Sequence, residues 1–236
     1  MANDPYTVSL LHFNGADDAD TFTDEAGKVW THVASSHTGT LDPKFGSASG
    51  HFIGDGGINT PNHADFAFGN GNFTIDFWVK ISTATGNMCL CIKALNGYNY
   101  APFNIFRPTG VYDLKFYSAS GTSSWNICNG VAIGTLTSGV WAHVAIVRNG
   151  TNIVCYLNGV VGSTTAVSTK VVLANTQAVH VGSDGTYYHS TSQMDELRFS
   201  KGVARWTSDF SASLPDAEYS ISLDSSVALP LLQLAI

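Results

Sequence analysis

Charge is scarce in this chain. Only 12% of the 236 residues are Asp, Glu, Lys or Arg, and 11 basic residues stand against 18 acidic ones. The resulting net charge of −7 argues against a sequence-independent phosphate-binding surface, which would need clustered Lys and Arg. Long apolar runs are also lacking, and none approaches the ~20 residues of a membrane-spanning helix. No stretch keeps a helical period for three turns. The N-terminus, MANDPYTVSL, has no basic region ahead of its apolar residues, so it does not read as a secretory signal.

Catalytic signatures are missing as well. There is no GxSxG elbow and no phosphate loop. Glycoside hydrolysis needs two opposed carboxyl groups roughly 5–10 Å apart. The nearest candidates, Asp195 and Glu196, are strand neighbours, whose side chains leave on opposite faces. Asp76 stands alone among Thr74, Trp78 and Lys80. These absences point away from an enzyme. Cysteine is sparse too, with Cys89, Cys91, Cys128 and Cys155. Cys89 and Cys91 sit at i and i+2 of a strand, which puts them on one face. No second close ligand pair accompanies them, which argues against zinc. All four are expected to be buried, reduced thiols.

What remains is the vocabulary of strands and turns. Phe73, Ile75, Phe77, Val79 and Ile81 alternate with Thr74, Asp76, Trp78 and Lys80, a period of two over nine residues. The stretch from Gly139 to Gly159 holds two runs rich in β-branched and aromatic residues, Trp141 to Val147 and Ile153 to Leu157. Asn149-Gly150 separates them and Asn158-Gly159 closes the second, as a tight hairpin and a further turn require. Val144 and Ile146 alternate with Ala145 and Val147, so the first strand is apolar on both faces and central in its sheet. Further strands are expected over residues 8–13, 51–53, 88–92, 112–117, 178–182 and 194–199, with one short helical turn within 62–68. The pattern predicts an all-β chain of two antiparallel sheets packed face to face.

Four stretches together resemble a known family. They are Leu10 to Asp17 with Thr23-Asp24, Phe45-Gly46 with Ala48-Ser49-Gly50, the strand from Phe73 to Val79, and the closing Met194 to Arg205. With Trp141, His143, Arg148, Tyr156 and Asn158-Gly159 of the hairpin, they resemble the laminin-G-like branch of the concanavalin A-like lectin/glucanase jelly rolls. The resemblance runs from about Leu10 to Pro215, and "KGVAR" followed by an aromatic residue resembles domains of phage tail and other virion proteins. It implies a two-sheet antiparallel jelly-roll sandwich over residues 1–215. Residues 216–236 then form a C-terminal apolar extension. In that extension Tyr219, Ile221 and Leu223 share one face, and the uncharged end is rich in leucine. Such a segment either folds back on its own domain or serves as an assembly arm on a neighbouring subunit.

The resemblance also implies function. It suggests a non-catalytic particle-surface protein made in the host cytoplasm, with a lectin-like site for glycan or surface attachment. The alternatives are a structural or decoration module without a ligand and, behind both, a glycan-cleaving enzyme. Sugar binding calls for aromatic faces beside amides and carboxylates on rim loops. Tyr98, Tyr100, Trp125, Asn126, Asp184, Tyr187 and Tyr188 offer that mixture, although such aromatics also close the ends of cores. In relatives the closing aspartate belongs to a structural calcium site. The matching positions here are Asn14, Asp24 and Asp195, with asparagine at 14 where close relatives have aspartate. Calcium takes six to eight oxygen ligands. In the alternative, Asp195 bonds to backbone amides and Glu196 pairs with Arg198 or Arg205. The expected partners are a cell-surface glycan, other virion proteins or further copies of the chain, with neither nucleic acid nor membrane insertion.

Overall fold

The computed structural model describes residues 4–94 and 100–220. Fifteen strands follow one another. They are β1 (Thr7–Leu11), β2 (Thr31–Val33), β3 (His37–Gly39), β4 (Ser49–Phe52), β5 (Gly57–Thr60), β6 (Phe73–Lys80), β7 (Met88–Ile92), β8 (Asn104–Arg107), β9 (Asp113–Ser118), β10 (Cys128–Thr135), β11 (Ala142–Asn149), β12 (Asn152–Leu157), β13 (Val160–Ala166), β14 (Val179–Val181) and β15 (Ser192–Lys201). Helix is confined to two three-residue turns, Ala64–Phe66 and Ser211–Ser213.

The strands form two antiparallel sheets. The first has the order β13-β12-β11-β6-β15-β4-β3, and β1 pairs with β15 beyond the end of β4. The second runs β10-β9-β8-β7-β14-β5-β2. Between them lies the main core, including Phe52, Phe73, Ile75, Phe77, Val79, Ile105, Leu114, Phe116, Val144, Ile146 and Phe199. This is the all-β two-sheet sandwich that the period-two pattern predicts, and the jelly roll that the resemblance implies. The apolar alternation of β6 and β11 is explained by their place, because they pair with each other at the centre of the first sheet. Both faces of β6 are buried from Phe73 to Val79.

The tight turns differ in detail from expectation. Asn149 is the last residue of β11 and pairs with Asn152, so the hairpin turn is Gly150-Thr151. Only Gly150 there has a positive φ, 58°. Between β12 and β13, Asn158 and Gly159 both do, at 50° and 75°, which is the requirement of a type I′ turn. Gly159 has a second duty, because a Cβ there would lie 2.4 Å from the Ser211 amide nitrogen. Only glycine lets the C-terminal segment cross this turn so closely.

The cysteines are all free and buried, and burial pushes the thiol of Cys128 up to about 11. Cys89 and Cys91 do not share a face. The register shifts between them, with Cys89 opposite Phe106 and Cys91 opposite Ile105. This β-bulge turns Cys89 to the outer side with Ile92, while Cys91 joins the main core. A bulge adds one residue to one strand and so inverts the expected alternation.

Three buried cations lie at loop crossings without a carboxylate partner in the described structure. Arg107 donates from Nη1 to the carbonyls of Ala84, Pro108 and Val111, and from Nη2 to those of Thr85 and Gly86. Arg148 likewise reaches the carbonyls of Gly69, Gly150, Ser168 and Lys170. Lys93 Nζ reaches Asn62 Oδ1, both oxygens of Asn175 and the Gln177 carbonyl.

Candidate functional site

The outer face of the second sheet carries a small aromatic pocket. Its position follows from strand alternation. In β9, Leu114 and Phe116 point into the core and Tyr117 points out, and in β8 Ile105 points in while Asn104 and Phe106 point out. Trp125, from the loop before β10, and Tyr188, from the loop before β15, close over these positions. The cavity is about 200 Å³ and is lined by Asn104, Phe106, Tyr117, Trp125 and Tyr188. Its floor is a small apolar cluster of Cys89, Ile92, Ala94 and Ala101, on which Trp125 and Tyr188 pack.

The rings stand at steep angles to one another. Phe106 meets Tyr188 at 5.3 Å and 73°, and Tyr117 at 6.3 Å and 83°. Trp125 meets Tyr117 at 5.4 Å and 57°, and Tyr100 at 5.2 Å and 69°. These contacts each contribute about 0.5–1.5 kcal/mol beyond burial and hold the walls of a box. Among the described lining residues Asn104 brings a side-chain amide, 4% exposed, whose Oδ1 meets the weak donor Cys89 Sγ at 3.8 Å. No hydrogen bond from its amide nitrogen is seen among the described residues. No charged side chain lines the cavity among the described residues.

Of the sequence candidates, Tyr100, Trp125 and Tyr188 are brought together here. Asn126 is not available to a ligand, because its amide bonds to Ser120 N and Oγ and shapes its own loop. Asp184 is fully buried, and its Oδ1 accepts the amides of Thr186, Tyr187 and Tyr188. It builds the turn that presents Tyr188 and is not itself presented at the rim. Tyr187 is 59% exposed and outside the pocket lining. Tyr98 lies outside the described residues. Asn104, Phe106 and Tyr117 were missed. The alternation of β9 was legible and would have pointed Tyr117 outward, whereas β8 went unread because it is only four residues long.

The outer face of the first sheet is sealed. Residues 203–219 fold across it, and Phe210 and Trp206 stack at 4.3 Å over His143, Tyr156, Ala145 and Val147. Beneath them Asp76 does not stand alone. It accepts Arg198 Nε and Nη2 at 3.1 and 3.0 Å and the Tyr219 hydroxyl at 2.6 Å, and His143 Nε2 lies 3.6 Å away. Burial would raise the Asp76 carboxyl, but Arg198 and His143 hold it down to about 2. The Arg198 guanidinium also lies 3.5 Å from the Tyr219 ring centre. Tyr219 is therefore part of the domain, which continues past the expected boundary at Pro215. The stretch 221–236, with Ile221, Leu223 and the leucine-rich end, lies outside the described residues.

The expected metal positions have other occupations. Asp24 Oδ1 accepts the amides of Leu10 and Ala26, and Oδ2 accepts Ser9 Oγ and Trp30 Nε1. All four lone-pair positions of that carboxylate are taken. Asp195 accepts the amides of Lys44, Phe45 and Glu196. Asn14 bridges Ser47 and Glu218. These donor sets do not fit calcium, because Asp24 would have to give up bonds already made. The closing acids also differ from expectation. A bulge at Asp195 and Glu196, with Glu196 at φ 52°, breaks the strand alternation. Glu196 pairs with His12 at 2.6 Å, while Arg198 pairs with Asp76 and Arg205 with Asp4. Among the described residues one His/Glu group could share an ion: His12, Glu196 and Glu218.

Other clefts are larger: a shallow one of about 330 Å³ beside Asp18, Asp20, His32 and His37, and two of about 490 Å³ each that are less suited to a ligand. One adjoins the sealed face at Asp4, Arg205 and Tyr219. In the other, Lys80 pairs with Asp42, and Gln193 bonds to His51 and to the Leu41 carbonyl, so its polar groups already satisfy one another.

The sandwich fold is shared with known proteins. The chain belongs to the concanavalin A-like lectin/glucanases superfamily, whose family model matches residues 52–207. No curated protein matches it. Among solved structures, the binding domain of Paraclostridial Mosquitocidal Protein 1 is similar at 14% identity and TM-score 0.59, over 84% of this chain and 49% of that one. A botulinum neurotoxin type C structure, whose cell entry depends on interaction with two ganglioside molecules, matches at 12% identity and TM-score 0.61, over 84% and 48%. Domain 4 of AbnA, an extracellular arabinanase from Geobacillus stearothermophilus, in complex with arabinotriose, matches at 14% identity and TM-score 0.58, over 84% and 94%. The chain thus spans about half the length of the toxin structures and nearly all of the arabinanase domain. At these identities the likeness is one of fold.

Proposed function

We propose that this chain is a non-catalytic carbohydrate-binding module that attaches a virus particle, as part of its tail or surface, to a glycan. The observation that carries the binding function is the aromatic pocket of Phe106, Tyr117, Trp125 and Tyr188 with Asn104 at its base. Apolar ring faces pack against the C–H faces of sugars, and a buried amide orients a polar substituent. The absence of carboxylate pairs in the pocket lining supports binding without cleavage, since glycosidase chemistry needs two. The particle context rests on the closing Lys201-Gly202-Val203-Ala204-Arg205-Trp206 stretch and its likeness to virion domains.

A second reading, a plain assembly module, is favoured by one observation. Edge strand β13 exposes Val160 and Val161 at 52% and 44%, and an apolar edge is a template for another chain. A glycan-array screen run beside a mass measurement in solution separates the two. Glycan binding that falls when Trp125 is replaced by alanine supports attachment. No binding on a broad array, together with a defined oligomer, overturns it in favour of assembly.

A further inference from the structure

We infer that the pocket recognises the acetamido group of an N-acetylated sugar, which rests on the carbohydrate-binding reading above. Three features of the site converge on this chemistry. The first is size. A cavity of about 200 Å³ lies below the ~300–1,000 Å³ of sites that enclose a whole drug-sized ligand, so it accepts one ring substituent or one terminal ring rather than a chain laid along a groove.

The second feature is shape. Sugars stacked by their ring faces need a flat aromatic platform. Here the rings cross at 57–83°, which makes perpendicular walls. Such walls surround a compact apolar group on several sides, as a methyl requires. The third feature is polarity. Among the described lining residues the amide is that of Asn104, 4% exposed and with no hydrogen bond from its nitrogen among the described residues, beside the hydroxyl-bearing rings of Tyr117 and Tyr188. Among the described residues the buried side-chain atoms left without a partner are Ser49 Oγ, Trp78 Nε1, Arg107 Nε and His143 Nδ1, so the Asn104 nitrogen is open to the cavity and can donate to a ligand. An acetamido group offers the methyl and, two bonds away, a carbonyl acceptor for that amide. A plain hydroxyl would satisfy Asn104 but leave the box empty.

A methylated ammonium group also suits aromatic boxes. The charges here disfavour it. No carboxylate lines the pocket among the described residues, and Lys115 stands on the same strand as Tyr117, directly opposite Phe106. The acetamido group can come from an N-acetylhexosamine or from N-acetylneuraminic acid, and Lys115 lies where the carboxylate of the latter would be tolerated.

The test is calorimetric titration of the full chain with four probes: N,N′-diacetylchitobiose, its hydroxyl counterpart cellobiose, a sialylated trisaccharide, and choline. The expected result is at least tenfold tighter binding of one or both acetamido probes than of cellobiose. Asn104→Leu, which keeps volume, should abolish that preference, and Trp125→Ala should weaken binding at least tenfold in a chain that remains folded at the titration temperature. If Asn104→Leu fails to fold, loss of the preference in Tyr117→Ala serves instead. Equal binding of chitobiose and cellobiose overturns the acetamido assignment and leaves carbohydrate binding standing. Preference for choline overturns it in favour of a cation site. No binding of any probe overturns the assignment, and the array then decides whether the carbohydrate reading falls with it.

Discussion

The two outer faces of the sandwich have opposite fates. The first sheet is covered by residues 203–219, and its polar groups, Asp76, Arg198 and His143, are buried together. The second sheet keeps an open box of neutral rings and one amide. Both faces are rich in aromatic residues, so aromatic content alone does not mark a site. The difference lies in cover, since the covered face even keeps two buried atoms without a partner among the described residues, Trp78 Nε1 and His143 Nδ1. On the covered face the chain itself supplies Trp206, Phe210 and Tyr219 as the partner, and on the open face Asn104 still has bonding capacity.

The comparison can be broken most forcefully at Asp76. Replacing it by alanine leaves Arg198 buried without its carboxylate, and the expected cost is about 3–5 kcal/mol of stability. Urea unfolding should report that loss, while chitobiose affinity at permissive temperature stays near wild type. Equal losses in both would mean that the faces are coupled.

A second contrast is in pH. Burial and the neighbouring Glu196 push the Asp195 carboxyl up to about 7, against the amides of Phe45, Lys44 and Glu196. Its folded value is above the ordinary 3.8, so the stability it contributes is complete below about 3.8 and is lost as pH rises towards 7. Asp76 works in the other direction, and its contribution is lost as pH falls from 3.8 towards 2. Stability measured from pH 4 to 7 should therefore decline through Asp195, and Asp195→Asn should flatten that slope. Ligand affinity, governed by a neutral pocket, should not follow it. An unchanged slope in the variant would place the titration elsewhere.

At the open face, Trp125→Ala should weaken glycan binding by roughly tenfold or more, about 1.4 kcal/mol, and lower stability by on the order of 1–3 kcal/mol, because its ring contacts with Tyr100 and Tyr117 are lost. Titration and thermal melting of the same preparation check both halves. The smallest effect is expected from chelation. With Asp24 saturated by four donors, excess chelator should leave the melting temperature unchanged, and a clear drop would reveal a cation that stabilises by mass action.

The fold was largely legible because alternation is a backbone property that burial writes into long strands. β6 and β11 could be read directly, and the order of motifs fixed the family. The site was half legible. Trp125 and Tyr188 stood out as aromatics in polar loops, but Phe106 and Asn104 belong to a four-residue strand with no pattern to recognise. Cys89 was assigned to the wrong face because a bulge leaves no mark in the sequence. Asp184 and Asn126 looked like ligand groups, and their use within their own turns depends on local geometry that residue type does not specify. The Asp76 network was invisible for another reason: its members are 122 and 143 residues apart along the chain.

Arg107 and Arg148 add a consequence for how such a chain can change. Each guanidinium acts as a captive ion, and the surrounding loops solvate it as a crown ether solvates potassium. What binds the ion is the row of peptide oxygens, which every amino acid carries. The side chains of Ala84, Thr85 and Val111 are therefore free to vary while the loops keep their course, provided the guanidinium remains. Lysine would not replace it, having three donors where Arg107 already makes five bonds. The rim of the sandwich is thus specified by a few arginines and can diversify its loop surfaces without renegotiating its shape.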